Sequence, residues 1–127
     1  MTRKPILCLD FDGVIHSYAS GWRGATMIPD PPVPGALEFL AKAVEIFDVQ
    51  IYSSRSSWTG GVQAMRDWLT NYTVVAAGGA TPEWLNMIVW PTEKPPAFVT
   101  LDDRAITFTG KWPDLDDLLN FKPWWSK

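Results

Sequence analysis

The chain has 127 residues, of which 46% are hydrophobic and 20% are charged, and its formal net charge is -3. This composition is typical of a folded globular protein and excludes a disordered or fibrous chain. The negative charge argues against broad electrostatic binding to nucleic acid, and no apolar run approaches the roughly 18 residues of a membrane-spanning helix. We therefore expect a single cytoplasmic domain over residues 1–127, with no membrane partner.

The first predicted element is a strand over residues 6–9, an apolar run that leads directly into Asp10-Phe11-Asp12-Gly13. Residues 16–33 are rich in glycine, proline and serine and lack a regular apolar period, so we predict a short flap there. Residues 35–44 have helical spacing of apolar side chains after a proline-rich approach, which predicts a helix. The β-forming residues 49–52 predict a second strand that ends in a serine-rich loop.

The second half of the chain is predicted to contain shorter elements. Gly60 and Gly61 precede a second amphipathic helix, whose apolar face is formed by Val62, Met65, Trp68 and Leu69. Residues 81–84 have the pattern of an N-cap and a first helical turn. Short strands are predicted over residues 88–90, 98–101 and 106–108, and a closing helix is predicted over residues 113–120.

Strands that alternate with helices indicate a mostly parallel sheet covered on both faces, so we predict a three-layer α/β fold. In such a sheet the carboxyl ends of the strands meet at one edge, and ligands bind beyond that edge. Polar residues follow each of the main predicted strands: Asp10, Asp12, Ser53, Lys94, Asp102 and Asp103. We expect these side chains to lie close together at that edge of the sheet.

The chemistry of this set points to phosphoryl transfer. Ionised carboxylates beside an apolar core are costly unless they are paired, hydrogen-bonded or bound to a cation, so Asp10 and Asp12 indicate a metal site or acid/base chemistry. The set offers a carboxylate nucleophile, an acid/base, a hydroxyl and an ammonium for phosphoryl oxygens, and acidic ligands for a divalent ion.

Four segments in chain order resemble the motifs of one known superfamily. Asp10-Phe11-Asp12-Gly13 matches D-x-D-G, Ser53 ends a strand, Lys94 follows, and Asp102-Asp103 forms an acidic pair after an apolar strand. The chain thereby resembles the haloacid dehalogenase (HAD) superfamily of aspartate-nucleophile phosphatases over nearly its whole length. This resemblance implies a Rossmann-like sheet of strand order 5-4-1-2-3 with helices on both faces. We expect a short flap around residues 16–33 and no large cap.

The resemblance also implies roles for the motif residues. Asp10 attacks the phosphorus and forms an aspartyl-phosphate, while Asp12 protonates the leaving oxygen and then activates the hydrolytic water. Mg²⁺ is held by Asp10, by the backbone carbonyl of Asp12 and by an acid of the last motif, with Asp103 favoured over Asp102 as the direct ligand. The phosphate-binding residues are Ser53, its neighbour Ser54 and Lys94.

The implied substrate is a small phosphomonoester. The Asp102-Asp103-Arg104 sequence looks like the corresponding motif of deoxyribonucleotidases and of the phosphatase half of polynucleotide kinases, which makes a nucleotide a candidate. His16, Arg55 and Arg104 are candidate substrate contacts, with turn capping or ion pairing as their structural alternatives. Two other functions stay open: a nucleic-acid end-processing phosphatase, which the acidic charge disfavours, and a non-catalytic binding module on the same scaffold.

Other interpretations of these residues are weaker. A D-x-D-G sequence can begin a calcium loop, but Val14 and Gly21 stand where that loop needs oxygen ligands. Cys8, the single cysteine, is predicted to be an inert buried thiol. Among the eight tryptophans, Trp22 and Trp58 lie in loops near the predicted site and could form an apolar wall. The remaining loop tryptophans, Trp112, Trp124 and Trp125, are predicted to pack against the body of the protein or another subunit.

Overall fold

The structure, a computed structural model, describes residues 3–126. Within these residues three parallel strands form one sheet with the order β2-β1-β3, where β1 is Ile6–Leu9, β2 is Asp48–Ile51 and β3 is Val99–Leu101. Leu9 lies opposite Ile51 on one side and opposite Leu101 on the other. All three strands therefore end level with one another, and the residues that follow them meet at one edge of the sheet.

The helices of the described chain differ in length and in how they begin. They are α1 (Ala36–Ile46), α2 (Gly61–Ala76) and α3 (Leu115–Leu119), with 3₁₀ helices at Ser54–Ser57 and Glu83–Met87. The short α3 is capped by Asp114, whose carboxylate accepts hydrogen bonds from the first backbone N–H groups of the helix. Within residues 3–126, every helix is too short or too polar to cross a lipid bilayer.

The hydrophobic core lies on one face of the sheet. Alternate strand residues point to the same side, and the paired positions Leu7 with Val49 and Leu9 with Ile51 are all buried. The two long helices complete this cluster with Leu40, Ala43 and Val44 from α1 and Met65, Trp68 and Leu69 from α2. The intervening sheet positions are Cys8, Gln50 and Thr100, and none of them belongs to the cluster.

The predicted five-stranded, three-layer sheet is therefore wrong. Three strands form the sheet within residues 3–126, and both long helices pack on the same cluster instead of covering opposite faces. The predicted strand 88–90 forms only an isolated bridge from Val89 to Gln50, because Pro91 follows and has no N–H to extend a ladder. Ile106 and Phe108, from the predicted strand 106–108, are each 56% exposed and find no partner strand among the described residues, which a β-ladder requires.

The segment over residues 16–33 folds back on itself beside the end of β1. Its two ends are joined by backbone hydrogen bonds from Ser17 N to Pro31 O, at 3.0 Å, and from Val33 N to Ile15 O, at 2.8 Å. Between these bonds the segment has no helix, and its role as a flap stays a prediction. This closed loop lies beside the edge of the sheet at which the polar residues emerge, because Arg55, in the turn after β2, donates hydrogen bonds to the carbonyls of Gly24, Ala25 and Met27.

Candidate functional site

Three acidic residues meet where β1 and β3 end. The backbone N–H of Asp10 donates to Leu101 O at 3.0 Å, which continues the pairing of the two strands by one residue and places Asp102 beside Asp10. One carboxylate oxygen from each of Asp10, Asp102 and Asp103 lies within 4.8 Å of the others. The convergence predicted from the strand order is present for these three residues.

A cavity of about 300 Å³ opens beside this cluster, at the lower end of the range for small-molecule sites. Its walls come from the flap and from the loops after all three strands. The lining residues are Asp10, Asp12, Tyr18, Tyr52, Ser53, Ser54, Asp102, Asp103 and Arg104. The cavity therefore contains most of the motif residues selected from the sequence.

Asp10 occupies an environment that disfavours its negative charge. Burial, followed by close side-chain contact with Asp103 and by the charge of Asp102, raises the pKa of Asp10 to about 8. A hydrogen bond from the backbone N–H of Phe11 to Asp10 Oδ1, at 2.8 Å, works in the opposite direction but is outweighed. A bound cation favours the ionised form of carboxyl groups that are crowded in this way.

The acidic cluster fits a hard divalent ion. Asp103 Oδ1 is buried and has no hydrogen-bond partner among residues 3–126, which is costly for a carboxylate oxygen unless a ligand binds it. Mg²⁺ takes oxygen ligands and is often bound through one or two carboxylates together with substrate phosphate. The donor set of Asp10, Asp102 and Asp103 has this chemistry, and the side chain of Asp12 lies outside it.

Asp12 is held by Arg55 and His16. Arg55 donates from Nε to Asp12 Oδ2 at 2.9 Å and from Nη2 to Oδ1 at 3.1 Å, and His16 Nδ1 lies 2.9 Å from Oδ1. Burial tends to raise the pKa of Asp12, but the hydrogen bonds from His16 and Arg55 and the charge of Arg55 bring it below its ordinary value. Asp12 is therefore an ionised carboxylate in a fixed orientation.

His16 is completely buried beneath this network. Its Nε2 accepts the backbone N–H of Asp30 at 3.1 Å, so the ring proton sits on Nδ1 and is donated to Asp12. The ring also stacks on Phe11, with centroids 5.8 Å apart. In this structure His16 orients Asp12 and holds the flap through its hydrogen bond with Asp30. Because His16 is buried, it does not reach the cavity.

Arg55 is also completely buried, and it joins the flap to Asp12. Its Nη1 donates to the backbone carbonyls of Gly24, Ala25 and Met27, at 2.8 to 3.1 Å, and its Cζ lies 4.8 Å from the centroid of the Trp22 ring. Every nitrogen of the guanidinium is thus used within the protein. Of the two roles predicted for Arg55, the ion pair fits this structure better than the substrate contact.

The serine-rich loop after β2 is a capped turn. Ser53 Oγ accepts the backbone N–H of Arg55 at 3.1 Å, and Ser56 Oγ accepts the backbone N–H of Ser53 at 3.0 Å, which forms a capping box. Ser53 and Ser54 both line the cavity. The turn fixes the position of Ser53 while leaving its hydroxyl proton available as a donor.

The two remaining basic candidates differ in position. Arg104 lines the cavity, and its backbone N–H donates to Asp102 Oδ1 at 2.8 Å. Lys94 is exposed and lies outside the residues that line the cavity. The structure therefore does not bring the predicted phosphate ligand Lys94 into the cavity with Asp10 and Ser53.

Sequence reasoning missed three aromatic residues at the site. Tyr18 and Tyr52 line the cavity, and Trp125 donates from Nε1 to Asp103 Oδ2 at 2.5 Å. Tyr18 has a positive φ of 61°, an uncommon conformation for a large side chain and one that tends to occur at functional sites. The position of Tyr52 directly after β2 was a usable sequence signal, whereas the contact of Trp125 depends on the fold.

Comparisons with protein-family models, with curated proteins and with solved structures found no match for this chain. The resemblance to the HAD superfamily therefore rests on the motif residues and their order along the chain. The structure adds that Asp10, Ser53 and the acidic pair Asp102-Asp103 line one cavity. These residues are the basis of the functional proposal.

Proposed function

We propose that this protein is a Mg²⁺-dependent phosphomonoester hydrolase of the HAD type, in which Asp10 is the nucleophile. One observation carries the proposal: three carboxylates meet beside a cavity, and the buried Oδ1 of Asp103 lacks a partner among the described residues. Mg²⁺ held by Asp10, Asp102 and Asp103 would neutralise charge on the carboxylates and on the substrate phosphate.

The residues around the cavity supply the parts of a two-step reaction. A carboxylate oxygen of Asp10 forms a bond to phosphorus as the bond from phosphorus to the leaving oxygen breaks, which gives an aspartyl-phosphate. Water then attacks phosphorus, the bond to Asp10 breaks, and inorganic phosphate is released. Ser53 donates its hydroxyl proton to a phosphoryl oxygen during both steps.

Asp12 provides the acid/base function in this proposal. Because Arg55 and His16 favour its ionised form, the arrangement directly serves the second step, in which Asp12 accepts a proton from the attacking water. In the first step the leaving oxygen needs a proton, and Asp12 delivers it from its minor protonated form. The proton taken from water restores Asp12 for the next turnover.

We propose a nucleoside monophosphate as the substrate class. Tyr18 and Tyr52 provide aromatic surface in the same cavity as Asp10 and Ser53, and a nucleobase can stack on such surfaces. Arg104 adds a cation at the cavity wall. A phosphorylated end of a nucleic acid is the second candidate, but the net charge of -3 disfavours the binding of a long polyanion.

Phosphate release tests this proposal. The substrates are nucleoside monophosphates, sugar phosphates and a 3′-phosphorylated oligonucleotide, each with Mg²⁺ or with EDTA. We expect turnover of a nucleoside monophosphate that EDTA abolishes, that Asp10→Asn loses, and that the control Asp67→Asn, on the exposed side of α2, retains. An absence of turnover on every substrate, with Mg²⁺ binding intact, would favour the non-catalytic binding module instead.

A further inference from the structure

The segment over residues 121–126 reaches the acidic cluster through Trp125. Its indole Nε1 donates a hydrogen bond of 2.5 Å to Asp103 Oδ2, while Asp103 Oδ1 has no partner among residues 3–126. The two oxygens of the Asp103 carboxylate thus have different surroundings. One oxygen is fixed by a neutral donor, and the other is buried without a partner among the described residues, in a carboxyl group that clusters with those of Asp10 and Asp102.

Gly13 makes this contact possible. Its φ is +80°, and a Cβ atom at this position would lie 2.2 Å from Asp103 Oδ2 and 2.6 Å from Trp125 Nε1. Any side chain at position 13 would therefore occupy the space in which the indole and the carboxylate meet. The last residue of the D-x-D-G sequence leaves room for this contact with a tryptophan far along the chain.

Three further contacts hold the final segment and the Trp125 indole in place. The neighbouring Trp124 donates from Nε1 to the backbone carbonyl of Gly13 at 2.7 Å. The Trp125 ring packs edge-on against Tyr18, with centroids 5.0 Å apart, and the Cζ of Arg104 lies 5.2 Å from its centroid. Because two of these neighbours line the cavity, Trp125 is part of the structure of the site.

We propose that Trp125 is a positioning residue that orients Asp103 for metal binding. A group that hydrogen-bonds the second oxygen of a ligating carboxylate fixes the direction of the first oxygen, so less conformational freedom is lost when the ion binds. The partner used here is an indole N–H, which is a donor only and cannot compete for the metal. This inference rests on the proposed function, because it requires the acidic cluster to bind Mg²⁺.

Calorimetric titration with Mg²⁺ tests the inference without any measurement of activity. Trp125→Phe keeps an aromatic ring and removes the N–H, and Trp112→Phe is the control, because Trp112 is 87% exposed. Loss of the groups that orient a metal ligand typically weakens affinity by roughly 10- to 100-fold. We expect a loss of this size in Trp125→Phe and wild-type affinity in Trp112→Phe, with thermal unfolding of both variants recorded to show that they are folded.

A second measurement uses the wild-type chain and does not depend on the folding of a variant. The NMR resonance of the Trp125 indole N–H is expected to shift during the Mg²⁺ titration, at the same concentrations that produce the calorimetric signal, because its acceptor binds the ion. If Mg²⁺ binds but this resonance does not shift, and Trp125→Phe binds the ion as tightly as the wild type, the role of Trp125 is overturned. The proposed function then still stands. An absence of Mg²⁺ binding to the wild-type protein overturns both.

Discussion

Arg55 and Asp12 are joined by two hydrogen bonds, from Nε to Oδ2 at 2.9 Å and from Nη2 to Oδ1 at 3.1 Å. This fork-to-carboxylate geometry is the strongest form of such a pair and fixes the plane of both groups. The same guanidinium holds the flap through the carbonyls of Gly24, Ala25 and Met27. The acid/base residue of the proposed mechanism and the flap above it are therefore positioned by one side chain.

Replacement of Arg55 by methionine is expected to destabilise the protein strongly. The change leaves the carboxylate of Asp12 without its cation and leaves the flap carbonyls without their donor. Removal of one partner of a buried ion pair costs roughly 3–5 kcal/mol. Urea unfolding followed by circular dichroism measures the difference. Arg66→Met, on the exposed side of α2, is the control and should change the free energy of unfolding by less than about 0.5 kcal/mol. Equal effects of the two substitutions would contradict the buried pair.

Gly13→Ala is expected to impair the site more than it impairs the fold. A non-glycine residue in the left-handed region costs roughly 1–2 kcal/mol, and Gly78→Ala carries the same backbone cost, since Gly78 has a φ of +72° and nothing within 4 Å of its Cβ position. Only Gly13→Ala also displaces Asp103 and Trp125. We therefore expect both variants to lose stability, Gly13→Ala more than Gly78→Ala, and only Gly13→Ala to lose Mg²⁺ affinity, measured by calorimetry. Unchanged Mg²⁺ affinity in Gly13→Ala would contradict the close packing at this position.

The affinity for Mg²⁺ is expected to depend on pH through Asp10. Burial and the neighbouring carboxyl groups raise the pKa of Asp10 from 3.8 to about 8, and the ion binds the carboxylate form. Affinity should therefore rise with pH up to about 8 and level off above it. Calorimetric titrations at a series of pH values provide the test, and an affinity that is constant below pH 8 would contradict the raised pKa.

The same shift predicts how the stability of the metal-free protein changes with pH. Between the unfolded pKa of 3.8 and the folded pKa of about 8, the folded chain holds the proton of Asp10 more tightly than the unfolded chain does. The free energy of unfolding contributed by Asp10 therefore falls as pH rises through this window. Asp10→Asn removes the titrating group, so the difference between the two proteins in chemical denaturation should disappear at low pH and grow toward pH 8.

Tyr52 is expected to determine the preference for a nucleobase. Tyr52→Leu removes an aromatic surface from the cavity wall but keeps an apolar side chain. Stacking of a base on an aromatic ring contributes roughly 1–3 kcal/mol, so kcat/KM for a nucleoside monophosphate should fall by about 5- to 150-fold. A sugar phosphate assayed with the same variant is the control and should be affected far less. A parallel loss on both substrates would show that Tyr52 does not contact a base.

Local sequence patterns predicted the first half of the fold well. The apolar run before Asp10, the helical spacing after Gly35 and the glycine pair before α2 each correspond to an element of the structure. The strand predicted over residues 98–101 corresponds to β3, whereas those predicted over residues 88–90 and 106–108 correspond to no strand within residues 3–126, because a strand requires a partner. Val89 reaches the edge of β2 for a single bridge, and Ile106 has no partner strand in the part of the chain that the structure describes.

The sequence predicted the part of the site whose residues are brought together by the order of the strands. Asp10, Ser53 and Asp103 follow the ends of parallel neighbouring strands, so their meeting follows from topology. The contact of Arg55 with Asp12 spans 43 positions in the sequence and that of Trp125 with Asp103 spans 22. No periodicity or propensity encodes such pairings, which depend on how the flap and the final segment pack against the sheet.

The central claim is that Asp10 is the nucleophile, and trapping of the covalent intermediate tests it most directly. The protein is mixed with Mg²⁺ and an excess of a nucleoside monophosphate, quenched in acid within one turnover, digested, and analysed by mass spectrometry. We predict that the peptide containing Asp10 gains the mass of one phosphoryl group at that residue, and that this gain is absent with EDTA and in Asp10→Asn. Undiminished phosphate release by Asp10→Asn, or a phosphoryl group on another residue, would contradict the account.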